Sequence, residues 1–573
     1  MKILLTAINA KYIHSNLAVY SLKAYAKEYK EQIEIGEYTI NTQIDDILEQ
    51  IYKQKPDVLC FSCYIWNIGY VERLIKEFHK LRKEVPIWLG GPEVSYEVET
   101  FMKQHPEVTG IVMGEGEETF SQLCRHYVKQ DIELNEIAGI TYRKNGQTHI
   151  NPARMPMDMS EIPFCYEEAG DFKNRIIYYE SSRGCPFSCS YCLSSIDKKL
   201  RFRDLELVKK ELAFFIEKEV PQVKFVDRTF NCDHHHAMEI WQFIKEQDKG
   251  ITNFHFEISA DLLNEEELEL IASMRPGLIQ LEIGVQSTNE ATISEIHRTM
   301  KLERLKETVK RIQEAGNVHE HLDLIAGLPY EDYATFAKSF DEIYALKPNQ
   351  LQLGFLKVLK GSYMYEHATE YEMVYHSDAP YEVLKTKWLS YEEVLKIKQV
   401  EEMLEVYYNS GQFEVTMKLL ELLFESPFAM FQKMGAFYEK SGYFAMSHSR
   451  IRRCEILLEF VKEYFPEQDD IYKMLEESLT FDLYYRENCK SRPSWAPAPS
   501  EFKTETKAYC KCGSLSHVEP FHYVFPTKKE RSIRTLPARR DEWQYILFDY
   551  ENRDPLDHQA EVRIVEKILR RPI

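Results

Sequence analysis

The opening 150 residues alternate short apolar runs with stretches of helical spacing. Runs at 2–7, 33–38, 58–62, 87–90 and 110–113 have the length of buried parallel strands. Between them, segments such as 71–82 repeat apolar positions at helical intervals. This rhythm predicts βαβ units and a flavodoxin-like doubly wound sheet, an α/β fold whose ligand lies at the carboxyl ends of the strands. From about residue 173 a second such rhythm begins, with strands predicted at 176–180, 223–227, 254–259, 278–284, 321–326 and 351–358. The intervening helices carry single apolar stripes: Leu205, Val208, Leu212 and Phe215; Leu302, Leu305, Val309 and Ile312; Tyr333, Phe336, Phe340 and Ile343. Asn264 with Glu267 predicts a capping box, and Gly316 a helix stop. Six units make a partial (β/α) barrel with its chemistry at the strand carboxyl ends.

Beyond about residue 370 the alternation yields to long helical patterns, for example 391–408 and 413–425. The expected organisation is a first domain at 1–142, a linker at 143–172, a barrel at 173–370 and a mostly helical domain at 371–573. Pro152, Pro156 and Pro163 keep the linker out of regular structure, and Asn145-Gly146 within it signals a hairpin turn.

A chain of 573 residues exceeds a single core, which agrees with three domains. No run of eighteen apolar residues is present, and the start turns polar too early for a signal peptide, so no membrane association and a cytoplasmic location are expected. In that compartment the 12 Cys are read as reduced thiols and metal ligands. A net charge of −20 argues against generic nucleic-acid binding.

The candidate chemistry centres on Cys185, Cys189 and Cys192, a C-x3-C-x2-C loop after the first barrel strand. Closed structural zinc sites and ordinary iron-sulfur clusters take four protein ligands. Three neighbouring thiolates leave one metal corner open for a substrate or cosubstrate, and the rival reading is a structural metal knuckle.

With Tyr191 before the third Cys, this loop resembles the C-x3-C-x-aromatic-C signature of the radical S-adenosylmethionine (radical SAM) enzymes. The resemblance implies a [4Fe-4S] cluster on the three Cys, SAM on the fourth iron beside Tyr191, and an electron donor such as a flavodoxin or ferredoxin. It also implies SAM contacts along the strand ends. Asp227, in Asp227-Arg228-Thr229-Phe230-Asn231, stands where the family places a Gly-Gly-Glu-like segment. Glu257 ends the third strand, and Glu282 and Gln286 end the fourth. Ile325 and Gly327 match the adenine-side G-x-I-x-G-x-x-E, from which the chain departs with Asp323 for the first Gly and Glu331 one residue late.

Placed ahead of this loop, the first domain resembles the cobalamin-binding domain of cobalamin-dependent radical SAM enzymes. The likeness rests on Gly90-Gly91-Pro92 and Gly114-Glu115-Gly116-Glu117 at strand ends. It implies cobalamin contacts from Asn9, His14, Ser62, Gly90, Gly91, Glu115 and Gly116. The D-x-H-x-x-G of base-off domains is incomplete: Asn9-Ala-Lys-Tyr-Ile-His14-Ser-Asn16 keeps the His without the Asp or Gly. His14 is thus a candidate axial ligand set against a surface histidine. The last domain looks like the helical domain of unassigned function in one subgroup of these proteins.

The resemblance implies reductive cleavage of SAM to a 5′-deoxyadenosyl radical and C-methylation of a substrate. The alternatives are a cobalamin-assisted rearrangement or cyclisation, methylthio transfer to RNA, or a non-catalytic metal-binding protein. Small molecule, peptide and RNA all stay open as substrates. Cys510-Lys-Cys512 with Cys489 is too sparse for a second cluster, and the basic stretch Lys528, Lys529, Arg531, Arg534, Arg539 and Arg540 reads as a solvated or interdomain face.

Overall fold

The computed structural model describes residues 1–167, 175–498, 500, 502, 506, 515–526 and 533–565; Cys510, Cys512, Lys528, Lys529 and Arg531 lie outside them. The first sheet contains β1 (Ile3–Asn9), β2 (Ile33–Thr39), β3 (Val58–Ser62), β4 (Ile87–Gly90), β5 (Gly110–Val112), β6 (Ile140–Lys144) and β7 (Gln147–Ile150), in the order β2-β1-β3-β4-β5-β6-β7. Strands β1 to β5 are parallel and follow the flavodoxin-like order. The helix Ile68–Leu81 shows why: Ile68, Val71, Leu74, Ile75 and Phe78 are all buried on the face it turns to the sheet. Two strands go beyond the five expected, because β6 and β7 add an antiparallel hairpin to β5. Its turn is Asn145-Gly146, with φ of 52° and 77°, as a two-residue hairpin turn demands. The sequence Gln147-Thr-His-Ile150 has no apolar run, so only the turn was legible.

The barrel contains β8 (Ile176–Tyr179), then a two-residue ribbon of β9 (Ser182–Arg183) and β10 (Arg201–Phe202), then β11 (Gln222–Phe225), β12 (Asn253–Ile258), β13 (Ile279–Gln286), β14 (His319–Ala326) and β15 (Gln350–Phe355). Six strands run parallel in the order β15-β14-β13-β12-β11-β8. Alternate residues, among them Val223, Phe254, Leu281, Leu322 and Leu351, pack outward against the helical stripes that carry Val208, Leu212, Phe215, Val309 and Phe340. The opposite parity faces the lumen. There the residues are polar: Tyr178, Lys224, His255, Glu257, Glu282, His321 and Asp323. The Asn264–Glu267 capping box forms, and Gly316 ends its helix at φ 68°.

Strands β8 and β15 do not pair, so the barrel is open on one side. The loop after β1 lies along β8 at this seam. The Ile176 N–H donates to the Ile13 carbonyl (2.7 Å), and the Ser15 N–H donates to the Ile176 carbonyl (3.3 Å).

The last third is mostly helical, with helices Tyr391–Leu404, Glu414–Leu420, Pro427–Ser441, Arg450–Tyr464 and Asp469–Arg486. Before them, β16 (Val374–Tyr375) and β17 (Val383–Lys385) form a short hairpin whose Val383 closes over the barrel end. Against the expectation of a mostly helical domain, this region also holds a three-stranded antiparallel sheet of β18 (Ser516–Phe521), β19 (Gln544–Arg553) and β20 (Ala560–Val565). Period-two alternation is present in Ala560-Glu-Val-Arg-Ile-Val565, but Pro520 within β18 masks the other edge strand of the sheet. Among the described residues no helix is long and apolar enough to cross a membrane.

Candidate cluster and cosubstrate site

A cavity of about 190 Å³ opens at the carboxyl ends of the barrel strands, lined by Cys185, Cys189 and Cys192 together with Tyr191, Arg228, Glu257, Glu282 and Gln286. Cys185 and Cys189 are buried and Cys192 is half-buried. The loop that carries them is pinned at its base by the β9–β10 ribbon. Gly184 is needed there, since at its φ of 92° an added Cβ would come within 2.5 Å of the Lys199 carbonyl oxygen. Donors face the sulfurs. Arg298 Nη1 lies 3.8 Å from Cys189 Sγ and 3.3 Å from the Tyr191 hydroxyl, and Thr229 Oγ1 lies 3.9 Å from Cys185 Sγ. Hydrogen bonds to sulfur tune an iron-sulfur centre.

Among the described residues no three His, Cys, Asp or Glu side chains converge on a point that would hold a single ion. A cuboidal cluster needs no such convergence, because each cysteine meets a different iron. The residues present fit such a group, with three thiols and two donors around one cavity.

The carboxylates beneath the loop divide by environment. Glu282 accepts from Lys224 (3.0 Å) and His255 (2.9 Å); burial works against its charge, but these two partners hold it down at about 2. Glu257 has no such partner. Burial pushes it up to about 7, Glu282 adds to the rise, and Arg228 and Lys224 oppose it. Asp323 pairs with His321 at 3.1 Å. Gln286 is in the left-handed region at φ 75°, at a bulge where β13 shifts register against β14, and its Oε1 is buried without a hydrogen-bond partner. Non-glycine residues held there cost about 1–3 kcal/mol and concentrate at functional sites.

A cationic ligand here should therefore bind more tightly as pH rises through about 7, by at most about tenfold per unit for one linked proton. Equilibrium titration of SAM between pH 6 and 8 checks this, and Glu257→Gln should flatten the dependence.

Asp227 takes a different place. It is fully buried and does not line the cavity; it accepts from the Ser181 N–H (2.9 Å), Ser181 Oγ (2.6 Å) and Ser182 Oγ (2.5 Å). It ties the start of the cysteine loop to the end of β11, and its neighbours Arg228 and Thr229 face the cavity. Ile325 packs in the apolar cluster with Tyr191 and Val383, while Gly327, at φ 88°, leaves room for Val383, which an added Cβ would meet at 2.5 Å. Arg298 and Thr299 line the cavity without any signal in the sequence that singled them out.

The candidate cobalamin residues gather at the carboxyl ends of β1, β3, β4 and β5. Asn9 is buried in a network, donating to the His14 carbonyl and to Glu37 (both 3.1 Å) and accepting from Asn16 (3.2 Å). His14 Nδ1 meets the Tyr178 hydroxyl at 2.9 Å, which leaves only Nε2 for another partner; burial, Lys11 and Lys224 keep the imidazole below its ordinary range. Gly91, at φ 118°, is required by Cys63, whose carbonyl oxygen an added Cβ would reach at 2.4 Å. Gly90 and Gly116 carry no such positive φ. The Glu115 carboxylate turns away to Arg201 (2.5 Å). Ser62 Oγ is buried without a partner at the end of β3, an orphaned hydroxyl suited to a ligand that enters between the strand ends.

Family models match three segments: the B12 binding domain at residues 3–124, the radical SAM superfamily at 179–343, and a protein of unknown function (DUF4080) at 369–536. The chain therefore carries a B12-binding domain followed by a radical SAM domain. Those two domains call for cobalamin, SAM and a [4Fe-4S] cluster as cofactors. The chain is 26% identical over 318 residues to an uncharacterized methyltransferase, PH0819, of Pyrococcus horikoshii, covering 52% of this chain and 68% of that one. It is 24% identical over 306 residues to the cobalamin-dependent radical SAM methyltransferase TokK of Streptomyces tokunonensis, covering 49% and 44%. Its fold is similar to that of TsrM from Kitasatospora setae, a radical SAM methyltransferase solved with cobalamin and a [4Fe-4S] cluster, with a TM-score of 0.52, 16% identity, and 66% and 76% of the two chains covered. The chain thus spans about two thirds of the first relative and under half of the second.

Proposed function

We propose that this protein is a cobalamin-dependent radical SAM methyltransferase that transfers a methyl group to carbon of its substrate. The observation that carries the reading is one cavity lined by three cysteines and by unpartnered polar groups, at the mouth of a barrel abutting the B12-binding sheet. Cys185, Cys189 and Cys192 would hold the cluster. Glu257, Gln286 and Arg228 would hold SAM, with Tyr191 and Ile325 along its edge. Ser62, Gly90, Gly91 and Gly116 would meet cobalamin at the strand ends. When bound, the cluster and SAM supply one-electron chemistry at carbon, and cobalamin supplies methyl transfer.

The protein's own residues bind and shield. Arg298 bridges Cys189, Tyr191 and the Gly284 carbonyl and so fixes the cavity wall. Lys224, His255 and Glu282 form a closed network that keeps the Glu282 carboxylate in place below it. The polar lumen suits a hydrogen-bonding substrate rather than an apolar one.

Anaerobic purification with cobalamin supplied, followed by a 5′-deoxyadenosine assay with dithionite and product mass analysis, tests the reading. The expected product is heavier than its substrate by one methylene unit. A product of unchanged carbon count would overturn methylation, and a protein holding only zinc would overturn the enzyme.

A further inference from the structure

The ribbon at the base of the cysteine loop has an unusual register: Arg183 lies directly opposite Arg201. Like charges facing each other on an antiparallel pair repel. Each has one carboxylate nearby in its own segment, Glu180 for Arg183 (2.9 Å) and Asp197 for Arg201 (2.8 Å). The charges that join the two come from the B12-binding domain. Glu117 lies 2.5 Å from Arg183, and Glu115 bridges both guanidiniums, at 2.5 Å from Arg201 and 3.7 Å from Arg183. The second Glu115 oxygen accepts from the Met157 N–H at 3.0 Å. The knot is largely desolvated, with Glu117 at 7% and Arg201 at 10% side-chain exposure.

Both ends of this knot reach functional loops. Arg183 stands two residues before Cys185, whose N–H donates to the Asp197 carbonyl at 3.0 Å, so the ribbon's position fixes the first cysteine. Glu115 lies in the turn after β5 and Glu117 opens the following helix, and Gly116 between them is a candidate cobalamin contact. The Glu115 and Glu117 side chains reach the ribbon at the base of the cysteine loop.

We propose that Glu115 and Glu117 are positioning residues for the cysteine loop, and that the knot couples occupancy of the cobalamin site to the cluster. The inference rests on the reading under Proposed function. A ligand that shifts the turn after β5 moves the carboxylates that hold Arg183 and Arg201. By linkage, each site alters the other's affinity by the same factor, commonly about 5- to 150-fold.

The test uses the full chain, reconstituted with iron and sulfide, with and without hydroxocobalamin. Its readouts are iron content, the electron paramagnetic resonance signal of the reduced cluster, and corrin absorbance. In the wild type, cobalamin should change the cluster signal and raise iron retention. The E115Q/E117Q double variant should lose that response and retain about tenfold less iron, the loss seen when groups supporting metal ligands are removed. Glu117→Arg alone should be worse, and adding Arg183→Glu should restore iron retention. Recovery by the reversed pair is an outcome that general loss of packing would not give.

Wild-type iron content and an unchanged cobalamin response in the double variant would overturn the proposal. So would a reversed pair no better than Glu117→Arg. If the double variant fails to accumulate in folded form, Arg183→Lys, which keeps the charge but loses the paired contacts, carries the same comparison. A wild type that holds no iron-sulfur cluster would instead sink the reading under Proposed function.

Discussion

Replacing Cys189 with alanine should bring 5′-deoxyadenosine formation to background while corrin absorbance stays. Cys189 lines the cavity, is buried, and has Arg298 at 3.8 Å from its sulfur. With three cysteines available to the cluster, losing one leaves two corners without a protein thiolate, and the Arg298 charge then faces no thiolate. Removing groups that merely support a ligand costs about 10- to 100-fold, so loss of the ligand itself should exceed that. Corrin binding is expected to survive because the strand ends of the first sheet do not include Cys189. Deoxyadenosine at wild-type levels in this variant would remove the cysteine loop from the chemistry.

The second large effect is expected at Asp227. Three donors of Ser181 and Ser182 converge on its fully buried carboxylate. Asp227→Ala leaves these donors without their acceptor in a place water does not reach, and each buried unsatisfied group costs about 1–3 kcal/mol. Allowing for hydroxyls that find other partners, a loss of about 2–5 kcal/mol is expected, read from the urea midpoint, together with loss of iron retention. Asp227→Asn, which keeps an acceptor, should lose less. Burial raises the Asp227 carboxyl to about 6 despite its hydrogen bonds. An acid whose folded value lies above its unfolded one, about 3.9, stabilises most below that unfolded value. Its contribution therefore declines as pH rises from about 4 to about 6. The asparagine variant should lack that decline.

The contrast between Asp227 and Glu257 shows what a sequence can and cannot reveal about this site. Both are acids near the ends of adjacent strands; the pattern predicts a strand over 223–227 that includes Asp227, whereas the strand ends at Phe225, and it places Glu257 within its strand as found. It could not say which would face the cavity. Asp227 lies just beyond β11, where the chain has left strand parity, so its side chain turns to Ser181 and Ser182 instead. Glu257 lies within β12, where alternation holds, and it faces the lumen. The cysteine loop was legible because its ligands are neighbours in sequence. Arg298 was not, because it reaches Cys189 from 109 residues away. Glu115 was seen as part of a glycine-rich strand end, but the target of its side chain, Arg201, depends on the packing of two domains that no local pattern encodes.

The loop after β1 borders the free edge of a barrel to which it does not belong by sequence, through its backbone bonds to Ile176. A chain shortened to begin at the barrel would bare one flank of the chamber and leave the Ile176 amide and carbonyl to solvent. Exchange of the first domain between relatives should likewise succeed only when residues 10–16 travel with it and meet their own first barrel strand. In this architecture one rim of the reaction vessel is edged by a segment from the other domain, so the two halves must match at that edge.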